Sequence, residues 1–292
     1  VNGFVVREHC ELPSHYQSRR TLHEFLESQG VPGLSDIDTR AVTRRLRSRG
    51  VMMGVITSQH KPEEALELLK RQRPYGELDL VQGVTAETAY RWPDGASQQA
   101  EAPRREITLV DMGLKYNIMR ILQAKGCRVT ATPASTCAAD LLAAGPDGIV
   151  LSPGPGDPAL LDYMTATARG LIGRVPLMGI CLGHQVLAHA LGGKTYKLKF
   201  GHHGGNHPVK DLATGQVHIT AQNHGYAVDA DSLPPDVTVS HVNLNDGTVE
   251  GIRHEGLPLL SIQYHSEASP GPLDSVAMFD RFLDLVRDAG AG

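Results

Sequence analysis

The sequence is short of cysteine, of net charge and of long apolar runs, and each shortage excludes a class of protein. Only four cysteines occur, Cys10, Cys127, Cys137 and Cys181, and none has CxxC spacing. Neither a cysteine-based zinc site nor a disulfide framework is indicated. In a reducing compartment, a cysteine at a special turn reads as catalytic rather than bridged. No apolar run approaches the ~18 residues of a membrane-spanning helix, and no secretory pattern opens the chain. We therefore expect a cytoplasmic protein with no membrane partner. The net charge of −4 gives no reason to expect nucleic acid. The local run of basic residues in Arg40–Arg49 is short and reads as a helix face. The Gly/Pro-rich segment Leu151–Pro158 does not resemble a phosphate loop, which ends in Gly-Lys-Ser/Thr, so no nucleotide site is expected in this chain. Internal repeats and low-complexity tracts are also missing.

What is present divides into two textures. At 292 residues the chain exceeds one average domain. The first part reads as short helices over Thr21–Ser28, Asp38–Ser48 and Pro62–Arg71. Ala41, Val42 and Leu46 are the expected apolar positions of the second helix. Ala65, Leu66, Leu68 and Leu69 are those of the third. A polar stretch from Trp92 to Pro103 has linker composition, which sets the expected domains at 1–103 and 104–292. After Arg105, short apolar strands alternate with helices. Strands are expected at Ile107–Asp111, Arg128–Thr132, Asp147–Ser152 and Val175–Ile180, and helices at Asn117–Ala124 and Val186–Leu191. This alternation predicts an α/β fold, a doubly wound and mostly parallel sheet that binds ligands at the carboxyl ends of its strands. Residues 195–264 look like a β-rich insertion. Leu259–Tyr264 is the expected last strand, and a helix over Ser275–Arg287 closes the chain.

Two motifs fall at expected strand ends. Val175–Ile180 runs into Gly179-Ile180-Cys181-Leu182-Gly183 and then a helix, a nucleophile elbow with Cys in place of Ser. The turn is tight enough to require glycine at both flanking positions. It also sets the sulfur at a helix N-terminus, which favours the reactive thiolate. The plain alternative is a structural cysteine between packing glycines. The second motif, Ser152-Pro153-Gly154-Pro155-Gly156-Asp157-Pro158, also follows a strand, and its backbone N–H groups can bind a developing oxyanion. The N–H of Leu182 is the natural second donor. The alternative there is an ordinary turn.

A nucleophilic cysteine needs a base, and 14 histidines make finding one easy. His265 is distinctive because it ends the expected last strand and Glu267 follows two residues on. In extended backbone the two side chains share one side, so Glu267 can orient the imidazole and stabilise its cation. The segment Lys199–Pro208 holds three histidines. With no acidic or cysteine partner close in sequence, it is expected to be a turn, and no metal is expected.

Together these residues resemble the class I glutamine amidotransferases. More narrowly, Asp36-Ile-Asp-Thr-Arg-Ala-Val-Thr-Arg-Arg-Leu-Arg47, Phe200-Gly-His-His-Gly-Gly-Asn-His-Pro-Val209 and Thr220-Ala-Gln-Asn223-His-Gly225-Tyr226-Ala-Val-Asp229 are similar to the small chain of carbamoyl-phosphate synthase. The resemblance implies a flavodoxin-like glutaminase domain preceded by a smaller α/β domain. It implies Cys181 as nucleophile, His265 as proton shuttle and Glu267 as its orienter. Gly154 and Leu182 would stabilise the oxyanion. Gly156, Gln185, Asn223, Gly225 and Tyr226 would hold L-glutamine. It further implies a large synthetase subunit, in a heterodimer or a higher oligomer of heterodimers. That subunit would carry the ATP and its metal ions, leaving no cofactor in this chain. The family's chain begins with a further stretch containing a glutamine-contacting serine, whereas this chain opens at Val1, so the first domain is expected to be incomplete. Ser266 stands where the family most often has proline, which would restrict the backbone; a small effect is expected. Another class I amidotransferase, such as the glutaminase part of anthranilate or guanylate synthesis, and a non-catalytic subunit on the same fold are the competing readings.

Overall fold

The computed structural model describes residues 1–93 and 105–290. It separates into two compact units, Val1–Tyr75 and Gly76–Gly292. The boundary expected at residue 103 lies outside the described residues. The compact units part earlier because residues after Tyr75 already belong to the second fold, through an edge strand at Tyr90–Arg91.

The first unit begins with β1 (Phe4–Val5), α1 (Leu22–Ser28) and β2 (Gly33–Leu34), in which the two strands pair in parallel. It continues with α2 (Thr39–Arg49) and α3 (Pro62–Lys70). The helix starts follow capping chemistry. Thr21 and Glu24 form a reciprocal capping box ahead of α1, and the Asp38 carboxylate accepts the Ala41 N–H ahead of α2. The three helices appear where the sequence places them, but their expected inner faces are only partly covered. Leu46 and Leu69 are half-buried and Ala65 is buried, whereas Ala41, Val42, Leu66 and Leu68 are exposed. A unit of this length has little interior to offer.

The second unit contains β3 (Tyr90–Arg91), β4 (Glu106–Asp111), α4 (Tyr116–Ala124), β5 (Arg128–Pro133), α5 (Ala138–Ala143), β6 (Gly148–Leu151) and α6 (Asp162–Leu171). Then follow β7 (Leu177–Ile180), α7 (Leu182–Ala190), β8 (Lys194–Asp211), β9 (Val217–Asp229), β10 (Val237–Asn243), β11 (Val249–His254), β12 (Leu259–Ile262) and α8 (Met278–Gly290). All ten strands from β3 onward form one sheet in the order β3-β5-β4-β6-β7-β12-β11-β10-β8-β9. Its central pairs, β5/β4, β4/β6, β6/β7 and β7/β12, are parallel. Along the chain those five strands run second, first, third, fourth, fifth, the flavodoxin-like order, and ligands bind such a sheet at its carboxyl edge. The expected β-rich insertion is the antiparallel extension formed by β8, β9, β10 and β11.

Alternation along the central strands divides the core between the two faces of the sheet. Leu109, Val150, Met178 and Ile180 meet Ile118, Leu122, Phe279 and Phe282 from α4 and α8. Val110, Ile149, Leu151 and Leu177 meet Met164, Leu171, Val186 and Leu187 from α6 and α7. Burying each such side chain contributes roughly 1.5–3 kcal/mol. Two packed faces therefore hold the strand ends in fixed register.

Candidate active site

Because β6, β7 and β12 are parallel neighbours, the loops leaving their carboxyl ends lie side by side. These loops carry Gly154, Cys181 and His265. Cys181 sits between β7 and α7 with φ 53°, a left-handed conformation that non-glycine residues adopt only under constraint. The constraint comes from both sides of the turn. A Cβ on Gly179 would lie 2.6 Å from the Gly183 carbonyl oxygen, and one on Gly183 would lie 2.2 Å from that of Leu151. The thiol is buried, with Sγ 3.9 Å from the Asn223 carbonyl oxygen of β9. Leu182, immediately after it, opens α7, so its backbone N–H belongs to the helix N-terminus. In the neighbouring loop, Ser152 accepts the Met112 N–H at 2.8 Å, and a Cβ on Gly154 would lie 2.2 Å from the Met112 carbonyl oxygen. Only glycine fits there.

His265 Nδ1 is 2.6 Å from Glu267 Oε1, with the carboxylate fully buried. With Nδ1 committed to Glu267, Nε2 is the nitrogen left for the sulfur. Burial alone disfavours a charged imidazole. The Cys181 sulfur and the Glu267 carboxylate outweigh it and raise the His265 pKa above its ordinary value. Burial likewise opposes the Glu267 charge, but the His265 hydrogen bond and the Lys115 ammonium hold its pKa below the usual carboxylate value. The site is thus built to keep an imidazolium between sulfur and carboxylate.

Lys115 and Asn117, in the loop after β4 and at the start of α4, are side chains that the sequence reading missed. Lys115 Nζ lies 3.1 Å from Glu267 Oε1 and also donates to the Ala268 carbonyl. Asn117 Nδ2 donates to the Glu267 carbonyl at 2.6 Å. Together they pin a loop in which Ala268 and Ser269 also have positive φ. The available signal was position, since both follow a strand end at the point where the sheet order reverses.

A cavity of about 410 Å³ opens beside the imidazole, lined by His265, Lys115, Asn223, Gln222, Gly204 and Gly205 among others. Asn223 is the one residue expected to hold glutamine that lines it. Gln185 is buried, and its amide nitrogen donates to the Tyr226 carbonyl at 2.8 Å and to Gln263 Oε1 at 2.9 Å. It ties α7 to β9, which carries Asn223, Gly225 and Tyr226. Tyr226 is buried, whereas Gly225 is half-buried and a Cβ added to it would meet nothing within 4 Å. Gly156 has φ +100° and stands over Leu78 and Leu80 of the same unit. Ser266, between His265 and Glu267, is wholly buried.

Residues 108–285 match the family described as Glutamine amidotransferase class-I, and residues 1–56 match the Carbamoyl-phosphate synthase small chain, CPSase domain. The carbamoyl phosphate synthase small chain of Syntrophotalea carbinolica is 47% identical, over 98% of this chain and 78% of its own length. The chain belongs to the carbamoyl phosphate synthase small chain family. The chloroplastic small chain of Oryza sativa subsp. japonica is 44% identical over 98% of this chain, which spans 66% of that longer protein. A solved structure from Thermoplasma acidophilum, named for the A subunit of GMP synthase, superimposes with a TM-score of 0.57 at 22% identity. It covers 65% of this chain and 98% of its own, and bears on the fold alone. Membership in the small-chain family implies a large-subunit partner. Among the described residues, no helix is long and apolar enough to cross a membrane.

Proposed function

We propose that this chain hydrolyses L-glutamine at Cys181 and supplies the ammonia to a large synthetase subunit, which makes carbamoyl phosphate from bicarbonate and ATP for arginine and pyrimidine synthesis. The observation that carries this reading is the placement of Cys181, His265 and Glu267 at adjoining strand ends, with the cysteine in a strained elbow and the imidazole clamped by a buried carboxylate. The thiolate attacks the side-chain amide carbon. The carbonyl oxygen becomes an oxyanion at the N–H groups of Gly154 and Leu182. Collapse of the intermediate breaks the C–N bond, and the imidazolium of His265 gives its proton to the leaving nitrogen, which departs as ammonia. His265, now neutral, takes a proton from water as the hydroxyl attacks the thioester. Glutamate leaves and the thiolate returns, with the proton restored to His265. Glu267 holds the imidazole tautomer throughout.

Gly156, Gln185, Asn223, Gly225 and Tyr226 are the residues we assign to holding glutamine. We place ATP and its metal ions on the large partner, the complex in the cytoplasm, and the assembly at one heterodimer or an oligomer of heterodimers. The deciding experiment compares nitrogen sources with the partner present. Cys181→Ala should abolish glutamine-dependent carbamoyl phosphate synthesis while added ammonia still supports it. Loss of the ammonia-dependent rate as well would overturn the division of labour between the two subunits.

A further inference from the structure

The fold brings together three ligand-type side chains that the sequence holds far apart. His202 on β8 and His224 on β9 are direct register partners, and Glu250 projects from β11. All three are buried, and a donor atom from each lies within 4.8 Å of the others. His202 Nδ1 and Glu250 Oε1 are 3.7 Å apart. That is close to the ~3.3 Å edge of a tetrahedron with metal–ligand bonds of about 2.0–2.1 Å. The surrounding hydrogen bonds fix which atoms face inward. His202 donates Nε2–H to the Asp246 carboxylate at 2.8 Å. His224 donates Nδ1–H to the Tyr226 carbonyl at 2.7 Å. In its neutral form each imidazole spends its proton outward and keeps a bare nitrogen inward, as ligating histidines do. Among the described residues those inward nitrogens, His202 Nδ1 and His224 Nε2, have no hydrogen-bond partner, and both residues are more than nine-tenths buried.

Charge makes the same point. Glu250 is fully buried, and among the described residues its two oxygens accept from the neutral amides of Asn243, at 2.8 Å, and Gln222, at 2.9 Å, with the His202 ring 3.7 Å away. A buried carboxylate requires a cation nearby. A protonated His202 would supply one, but it would leave His224 Nε2 as a buried lone pair facing nothing. A divalent ion satisfies all three groups at once, and its charge balances Glu250 and Asp246. Two imidazoles and one carboxylate select a borderline transition ion, with zinc the best match to the geometry.

We propose that His202, His224 and Glu250 bind a zinc-type divalent ion that braces the β8–β9 hairpin beneath Asn223 and Gly225. The histidine-rich segment seemed to lack an acidic partner because that partner, Glu250, lies nearly fifty residues downstream in the sequence. The assignment of the hairpin to glutamine rests on the reading above; the ion site does not.

The test loads the full chain with zinc, dialyses it against metal-free buffer and measures the metal by mass spectrometry. The cobalt-loaded protein is examined for the visible d–d bands of a tetrahedral site. About one zinc per chain is expected. Retention should fall at least ~10-fold in Glu250→Gln and His224→Gln, and should be unchanged in His254→Ala, whose ring pairs with Asp236 elsewhere. Cys181→Ala should hold zinc normally, which separates this site from the glutaminase reading. Wild-type melting with zinc and with EDTA gives a second readout that does not depend on a variant folding, and zinc should raise the midpoint. Zinc content no higher than the dialysis blank, equal retention in folded Glu250→Gln, or an unchanged melting midpoint would each overturn the site.

Discussion

Glu267 acts through one short bond to the imidazole, so its charge can be removed without changing its shape. Glu267→Gln leaves an amide whose NH₂ can face Nδ1 and select the wrong histidine tautomer. In comparable imidazole–carboxylate pairs this exchange lowers kcat by up to about 10⁴. Glutamine hydrolysis should fall by roughly 10²–10⁴ with the melting temperature little changed, as read by ammonia release beside calorimetry. Lys115 is one step further out. Its ammonium lies 3.1 Å from the same oxygen, and it also ties down the Ala268 carbonyl. A hydrogen bond to a charged group contributes about 1.5–3 kcal/mol, so Lys115→Met should lower kcat by about 10-fold or more. Lys115→Arg, which keeps a donor and a charge, should recover part of that loss. Equal losses in both variants would mean that Lys115 shapes the loop rather than the carboxylate.

At the scale of elements, the elbow depends on backbone passing close to backbone. Gly183→Ala would place a methyl 2.2 Å from the Leu151 carbonyl oxygen, in the middle of the β6–β7–α7 packing. Neither strand can move aside, so the variant should lose ~3 kcal/mol or more and express mainly as insoluble protein. Gly225→Ala adds a methyl that meets nothing. It should fold normally in urea titrations and raise the KM for glutamine, because the new methyl stands on the strand assigned to the substrate. An unchanged KM would remove Gly225 from the binding site. The same contrast explains what could be read from the sequence. The elbow, the Gly154 turn and the His265–Glu267 spacing are local patterns, each carried by a few consecutive residues at a strand end. The central strands β4, β5, β6, β7 and β12 were legible because their apolar runs alternate with helices. Strand β8 was not, since its glycines and histidines carry no period-2 signal and its pairing with β9 is decided by residues far along the chain. Lys115, Asn117 and Glu250 were missed for the same reason, because only strand order brings them to their partners.

Across the whole molecule, the second unit buries several histidines in their neutral form, which makes its stability depend on pH. Burial, with His224 and His241 nearby, lowers the His184 pKa to about 3. Burial likewise lowers that of His241 to about 4, although Asp211 opposes the shift. In the unfolded chain both return to about 6.5. Between pH 6.5 and about 4 the unfolded state therefore binds more protons than the folded one. Stability is fully present above pH 6.5 and is lost as pH falls through that window. Each excluded proton costs up to about 1.4 kcal/mol per pH unit, so two histidines should remove on the order of 2–4 kcal/mol between pH 6.5 and 4.5. Trp92, the single tryptophan, packs on the core of this unit and reports its unfolding by fluorescence. Urea midpoints should drop over that interval. His184→Asn, which keeps a polar atom toward Ser261, should flatten the drop by about half. A midpoint insensitive to pH from 6.5 to 4.5 would show that these rings take up protons without unfolding the sheet they support.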